Sequence, residues 1–204
     1  MNELLKDKAL LDFAIREGWQ GNKIEALRKK IKAAETVILE NDWVAVKQKA
    51  VPEIECESYI YTEAKKETVA ALIFDMNTQC YLMRVEATLS SDFTPALKVM
   101  TETMEGEETP EQACIRGIAE EFGCDNVEDI EYLGTINGTF NELHKYHIFH
   151  VAVNYTSTGF EGDGSAGENK SHNALLPEKD FKQVKDFISW IAFGMSKHRM
   201  SNEV

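Results

Sequence analysis

Apolar residues in the first forty positions recur at helical steps. Ile24, Leu27, Ile31, Ala34 and Ile38 are spaced by three and four, which draws one stripe along a helix. An earlier stripe of Leu4, Leu5, Leu11 and Ile15 stops near Gly18 and Gly21, so two helices joined at a glycine turn are expected. Residues 1–42 then form a helical extension that packs or dimerises, and residues 43–204 form the main domain. From Asp42 to Ala87 the pattern shortens into β-rich runs: Trp43 to Val46, Tyr59 to Thr62, Val69 to Phe74 and Cys80 to Val85. Asp75 to Thr78 reads as a hairpin connection, and Ser90 to Thr103 as irregular chain. Thr109-Pro110-Glu111-Gln112 is a strong helix start, with a capping threonine, a first-turn proline and a glutamine to close a capping box; Gly123 is the stop. Two further strands are expected at Tyr132 to Ile136 and Tyr146 to Val153. A glycine-bearing polar loop runs from Asn154 to Pro177, and Phe181, Val184, Ile188, Ile191 and Met195 share one face of a last helix.

Composition narrows the possibilities. The chain has 204 residues, with 22 Lys and Arg against 35 Asp and Glu, a net charge of -13. A surface that tracks nucleic acid needs clustered positive charge, so no nucleic-acid partner is expected. A hydrophobic share of 43% with 28% charged residues suits one globular core plus an appendage. The longest good apolar run, Val69 to Phe74, is too short to span a bilayer, so no membrane partner is expected. Cys56, Cys80, Cys114 and Cys124 contain no C-x-x-C pair, which points to reduced thiols and a cytoplasmic location.

The chemistry concentrates in Glu102 to Cys124, ETMEGEETPEQACIRGIAEEFGC. Its helix carries Arg116, Glu120 and Glu121, and Glu108 precedes the cap. Adjacent carboxylates beside a turn are suitable oxygen donors for magnesium, which keeps waters and is usually shared with substrate phosphates. A solvated acidic helix face accounts for the same pair. The spacing adds to this: the segment resembles the Nudix box, Gly, five residues, Glu, seven residues, Arg-Glu, an aliphatic, any residue, Glu-Glu, any residue, Gly and an aliphatic. Glu108, Arg116, Ile118, Glu120, Glu121, Gly123 and the apolar Cys124 match, seven of the nine specified positions. Two depart: Glu102 stands for the first glycine and Gly117 for the acid after the arginine. Helix spacing i, i+3, i+4 would put three carboxylates on one face, and this chain keeps two. Glycine inside a helix also costs about 1 kcal/mol relative to alanine, so propensity does not explain it. Either Glu102 or Glu105 supplies the missing ligand, or hydrolysis is impaired.

The resemblance implies an α/β fold, a Nudix-type α/β/α sandwich with a mixed β-sheet, following the N-terminal helical extension. Element order over about residues 43–195 is similar to the ADP-ribose pyrophosphatase branch. That implies attack of water on the diphosphate of a nucleoside diphosphate derivative, of ADP-ribose or nucleotide-sugar type, by a homodimer using Mg2+, or Mn2+ in its place. Glu120, Glu121 and Glu105 are the implied metal ligands, while Glu108, Arg116 and Gly123 are the structural residues of the box. Glu121, Glu120 and a late-loop acid are the implied catalytic groups, the last being Glu168 with Glu161 and Asp163 as rivals; Lys170 occupies the place of a further acid. His144, His147 and His150 are close in sequence, but strand alternation turns His147 away from His150. Two rival readings stay open: a nucleotide-binding or regulatory protein that has lost turnover, marked by Gly117, and a scaffold assembled through its N-terminal helices.

Overall fold

A computed structural model describes residues 13, 15, 16, 18, 21–33, 36–51, 56–87, 94–138, 142–156 and 171–201. They fall into two compact units, residues 1–65 with 138–144, and residues 66–137 with 145–204.

In the first unit, Gly18 makes a turn at φ 65° and helix α1 spans Gly21–Ala33. The stripe does not continue to Ile38 as a helix. Strand β1, Thr36–Glu40, takes that residue instead, because Thr36-Val37-Ile38 is β-branched throughout and pairs antiparallel with β2, Val44–Val51. Residues 1–42 therefore hold a strand as well as helix. The turn between β1 and β2 is set by Asn41, whose Oδ1 accepts from the amides of Trp43 and Val44, both at 2.8 Å. Strand β3, Cys56–Ala64, continues the meander, with Lys49 lying 4.8 Å above the Tyr61 ring. The tiny β9, Glu142–Leu143, adds to β3 in parallel.

The second unit is an α/β/α sandwich. Its sheet runs in the order β11 (His172–Leu176), β5 (Cys80–Ala87), β4 (Thr68–Asp75), β10 (Lys145–Val153), β8 (Val127–Asn137). Two short strands, β6 at Pro95–Lys98 and β7 at Met100–Thr103, pair with β5 and β4. Only β4 and β10 are parallel, so the sheet is mixed. Val69 to Ile73 is fully buried because both faces are covered, which is why it reads as a continuous apolar run. On one face Val69, Ala71, Ile73, Leu82, Phe149 and Val151 meet Ala113, Cys114, Ile118 and Phe122 of helix α2, Pro110–Phe122. On the other, Ala70, Leu72, Tyr81, Met83 and Ile148 meet Phe181, Val184 and Ala192.

Three sequence expectations change here. The irregular stretch before the box holds β6 and β7, which lie beside strands rather than forming a hairpin of their own. The polar loop ends in β11, which extends the sheet at the edge of β5 and buries Leu176. The last helix is divided: a 3-10 segment, Glu178–Gln183, carries Phe181, and in helix α3, Phe187–Ser201, Ile188 and Met195 of the expected face pack against the core beside the fully buried Ser189, Ala192 and Ser196. Small residues let α3 approach the sheet closely, and Ser189 Oγ accepts from the Val99 amide at 2.9 Å.

Candidate functional site

Helix α2 begins where its local chemistry says it should. Thr109 Oγ1 accepts from the Gln112 amide at 3.2 Å, and Gln112 Oε1 accepts from the Thr109 amide at 2.8 Å, closing the capping box with Pro110 at the first helical position. Gly123 ends it in the left-handed region, φ 60°, with its amide donating to Ala119 at 2.9 Å. These two ends hold Arg116, Glu120 and Glu121 in a fixed rotation about the helix axis.

Arg116 gathers the loop that leads into the helix. Its Nε and Nη2 donate to the two oxygens of Glu108 at 3.2 and 2.8 Å, a forked pair, and Nη2 also donates to the Thr103 carbonyl at 2.9 Å. Nη1 serves two more carboxylates, Glu120 at 3.0 Å and Glu102 at 3.1 Å. The loop closes on itself through the Glu105 amide, which donates to Glu108. The bonds from Arg116 hold the Glu108 carboxyl below the usual range. Burial pushes that of Glu102 up, against the pull of Arg116.

On the inner side of the helix end, Glu121 is buried, with 9% of its surface exposed. Its Oε2 lies 3.2 Å from Arg84 Nε but has no hydrogen-bond partner. Burial pushes its carboxyl up to about 8, with Lys98 and Arg84 pulling the other way and Glu86 and Glu102 adding to the rise. Arg84 is the organising cation here. Its Nη1 donates to the Glu121 carbonyl at 3.2 Å and to Asn173 Oδ1 at 2.8 Å, and its Nη2 to Ser171 Oγ. Its Nε is 3.4 Å from Glu86, whose other oxygen pairs with Lys98 at 2.6 Å. Sequence reading missed Arg84, Glu86 and Lys98. The available signal was a pair of charges, Arg84 and Glu86, at the same strand parity as the buried Leu82 of β5.

The remaining sequence candidates are distributed unevenly. Glu105 is exposed in the turn before the helix and forms no ion pair among the described residues, whereas Glu102 joins Arg116. Glu161, Asp163, Glu168 and Lys170 lie outside the described residues. His147 and His150 occupy opposite faces of β10. His147 Nε2 is 2.6 Å from Glu67, which Lys145 also holds at 2.9 Å, and its Nδ1 is 3.3 Å from Tyr132. The His150 ring, pushed toward the neutral form by burial, has an unbonded Nε2.

Among the described residues no three His, Cys, Asp or Glu side chains converge into a ready-made metal cage. The donors nonetheless fit a hard divalent cation of the magnesium kind, which needs one or two carboxylates and takes its other ligands from water and phosphate. The observation that favours this is the buried Oε2 of Glu121, which has an ion-pair contact to Arg84 but no hydrogen bond, so a cation there would add a partner to an under-satisfied oxygen.

Comparison with known proteins agrees with this arrangement. The model of the NUDIX domain matches residues 64–193, which take in the whole second sheet, the capped helix and both arginines. A search of curated proteins finds no match. A solved structure, the crystal structure of ADP compounds hydrolase, is similar in fold, with a TM-score of 0.65 at 12% identity, covering 84% of this chain and 94% of that one. With the family model spanning well over half its length, and the box helix capped, tied and charged as described, the chain belongs to the Nudix hydrolase family.

Proposed function

We propose that the protein is a pyrophosphohydrolase that cleaves the diphosphate linkage of a nucleoside diphosphate derivative of ADP-ribose or nucleotide-sugar type. The observation that carries this reading is Glu121, a buried acid at the end of the box helix whose Oε2 faces Arg84 but accepts no hydrogen bond. The fold it shares with ADP compounds hydrolase favours the substrate class. Mg2+, or Mn2+ in its place, held through Glu120 and Glu121, would neutralise diphosphate oxygens and lower the pKa of the attacking water. Arg84 and Lys98 set positive charge beside Glu121, and both also pair with Glu86. Arg116 and Glu108 keep the entry loop in place. Glu168 is the proposed proton acceptor, and Glu105 is a weaker choice of metal ligand than Glu102.

The protein is read as a cytoplasmic homodimer. Support for the dimer comes from the first unit, where Val37, Ile38, Leu39, Trp43 and Ile60 are exposed apolar residues. No helix among the described residues is long and apolar enough to cross a membrane.

The test is mononucleotide release from ADP-ribose, nucleotide sugars, dinucleoside polyphosphates and nucleoside triphosphates with Mg2+ or Mn2+. Cleavage of one diphosphate class by the wild type, lost in Glu121→Gln with the fold intact, is expected. Unchanged turnover in Glu121→Gln removes that residue from the mechanism. Gly117 favours a second reading, a nucleotide-binding protein without turnover; calorimetric binding with no cleavage of any substrate would select it.

A further inference from the structure

The two departures of the box motif are in contact. Position 117 shares a helix face with Glu120 and Glu121, three and four residues on. A Cβ built on Gly117 would lie 2.9 Å from Glu102 Cβ, 3.0 Å from Glu102 Cγ and 3.0 Å from Met100 Sδ. The space that a side chain at 117 needs is therefore filled by the Glu102 side chain, arriving from β7. Strand pairing with Val69 fixes it there, and Met100, two residues earlier on the same side of β7, closes the remaining gap. The carboxylate of Glu102 comes to rest on Arg116 Nη1, the same nitrogen that holds Glu120, so the two carboxylates are immediate neighbours. Its charge also acts on Glu121, whose buried Oε2 faces Arg84 but accepts no hydrogen bond.

We propose that Glu102 is a carboxylate of the cation site, delivered from strand β7 into the place a side chain at position 117 would occupy on the helix. The glycine is then a requirement of that delivery rather than a loss. This inference rests on the hydrolase reading above, and it changes what restoring the motif should do. Gly117→Glu alone forces a new side chain into Glu102, so it destabilises the fold instead of completing the site.

The experiment is Mn2+ binding to the full-length chain, read by the electron paramagnetic resonance of free Mn2+, with thermal midpoints measured in parallel. Four variants are compared with wild type: Glu102→Gln, Glu102→Gly, Gly117→Glu and the double exchange Glu102→Gly with Gly117→Glu. Glu102→Gln should bind Mn2+ about tenfold or more weakly and lose kcat/KM in step, at a midpoint well above that of Gly117→Glu. Gly117→Glu should melt several degrees lower with no gain in affinity. The double exchange should recover both midpoint and Mn2+ binding relative to Glu102→Gly. Wild-type Mn2+ affinity in Glu102→Gln overturns the inference while leaving the hydrolase reading intact. Gly117→Glu alone binding Mn2+ more tightly at an unchanged midpoint also overturns it. A wild-type chain that neither binds Mn2+ nor cleaves any substrate removes both readings together.

Discussion

Two arginines serve the same helix in opposite ways. Arg116, with 23% of its side chain exposed, holds three carboxylates at the helix's outer face, Glu108 and Glu120 through hydrogen bonds and Glu102 through an ion pair. Arg84, at 2% exposed, sits under the helix end with Glu86 and Glu121, and faces the Glu121 Oε2 at 3.2 Å without a hydrogen bond. The outer cluster is a fastening that joins the chain from Glu102 to Glu108 to the helix, and of its three carboxylates Glu120, at 49% exposed, is the one that faces water. At the centre of the inner cluster Arg84 and Glu121 are shielded from water, so the same charge types interact more strongly there. Carboxylate chemistry in this protein is thus decided by burial more than by the number of acids.

The difference can be broken most severely from the inside. Arg84→Met should cost about 3–5 kcal/mol in urea unfolding at pH 8, because Glu86, Glu121 and Asn173 lose a buried partner together. A loss below about 1 kcal/mol would show that the inner cluster is not an ion-pair core. The second measurement follows the same cluster with pH. Glu121 binds its proton more tightly folded than unfolded, so its contribution is present below the unfolded carboxyl range and is lost as pH rises through about 8. Metal-free wild type should therefore lose up to about 1.4 kcal/mol per pH unit between roughly pH 5 and 8, other groups held equal, and Glu121→Gln should flatten that slope.

The outer cluster should respond more mildly. Arg116→Lys keeps the charge but loses the forked pair with Glu108, for a loss of about 1–3 kcal/mol together with a fall in turnover. Loss of stability without any change in kcat/KM would separate the loop from catalysis. The smallest effect belongs to the cap: Thr109→Ala should lower stability by about 1 kcal/mol and leave the pH profile unchanged, as circular-dichroism melts at pH 6 and 8 would show.

Legibility in the sequence followed the range of the interactions. The capping box, the glycine stop and the continuous apolar run of β4 are local or one-dimensional patterns, and each appears where its residues predict. The fate of Ile38 was misread because a five-residue apolar stripe fits a helix until Thr36 to Glu40 finds a partner in β2 across the Asn41 turn. The last helix was read in part: Phe181, Val184, Ile188 and Met195 pack on the core as their spacing predicts, although the first two precede α3. Spacing did not show that close approach to the sheet also selects the small residues Ser189, Ala192 and Ser196. Arg84 gave no motif at all, since an arginine in a strand acquires its meaning only from what the neighbouring strands and helix bring to it.

By itself the sequence determined the family motif, the limits of the box helix and the acids available for chemistry, because caps, helical steps and motif spacing act within a few residues. Tertiary structure decided which acids meet which cation. Glu121 reaches Arg84 across 37 positions, and Glu102 reaches Gly117 across 15, only because strand register and helix rotation place them against one another. Side-chain volume and burial are properties of that packing, and they set which carboxylate is fastened and which is buried.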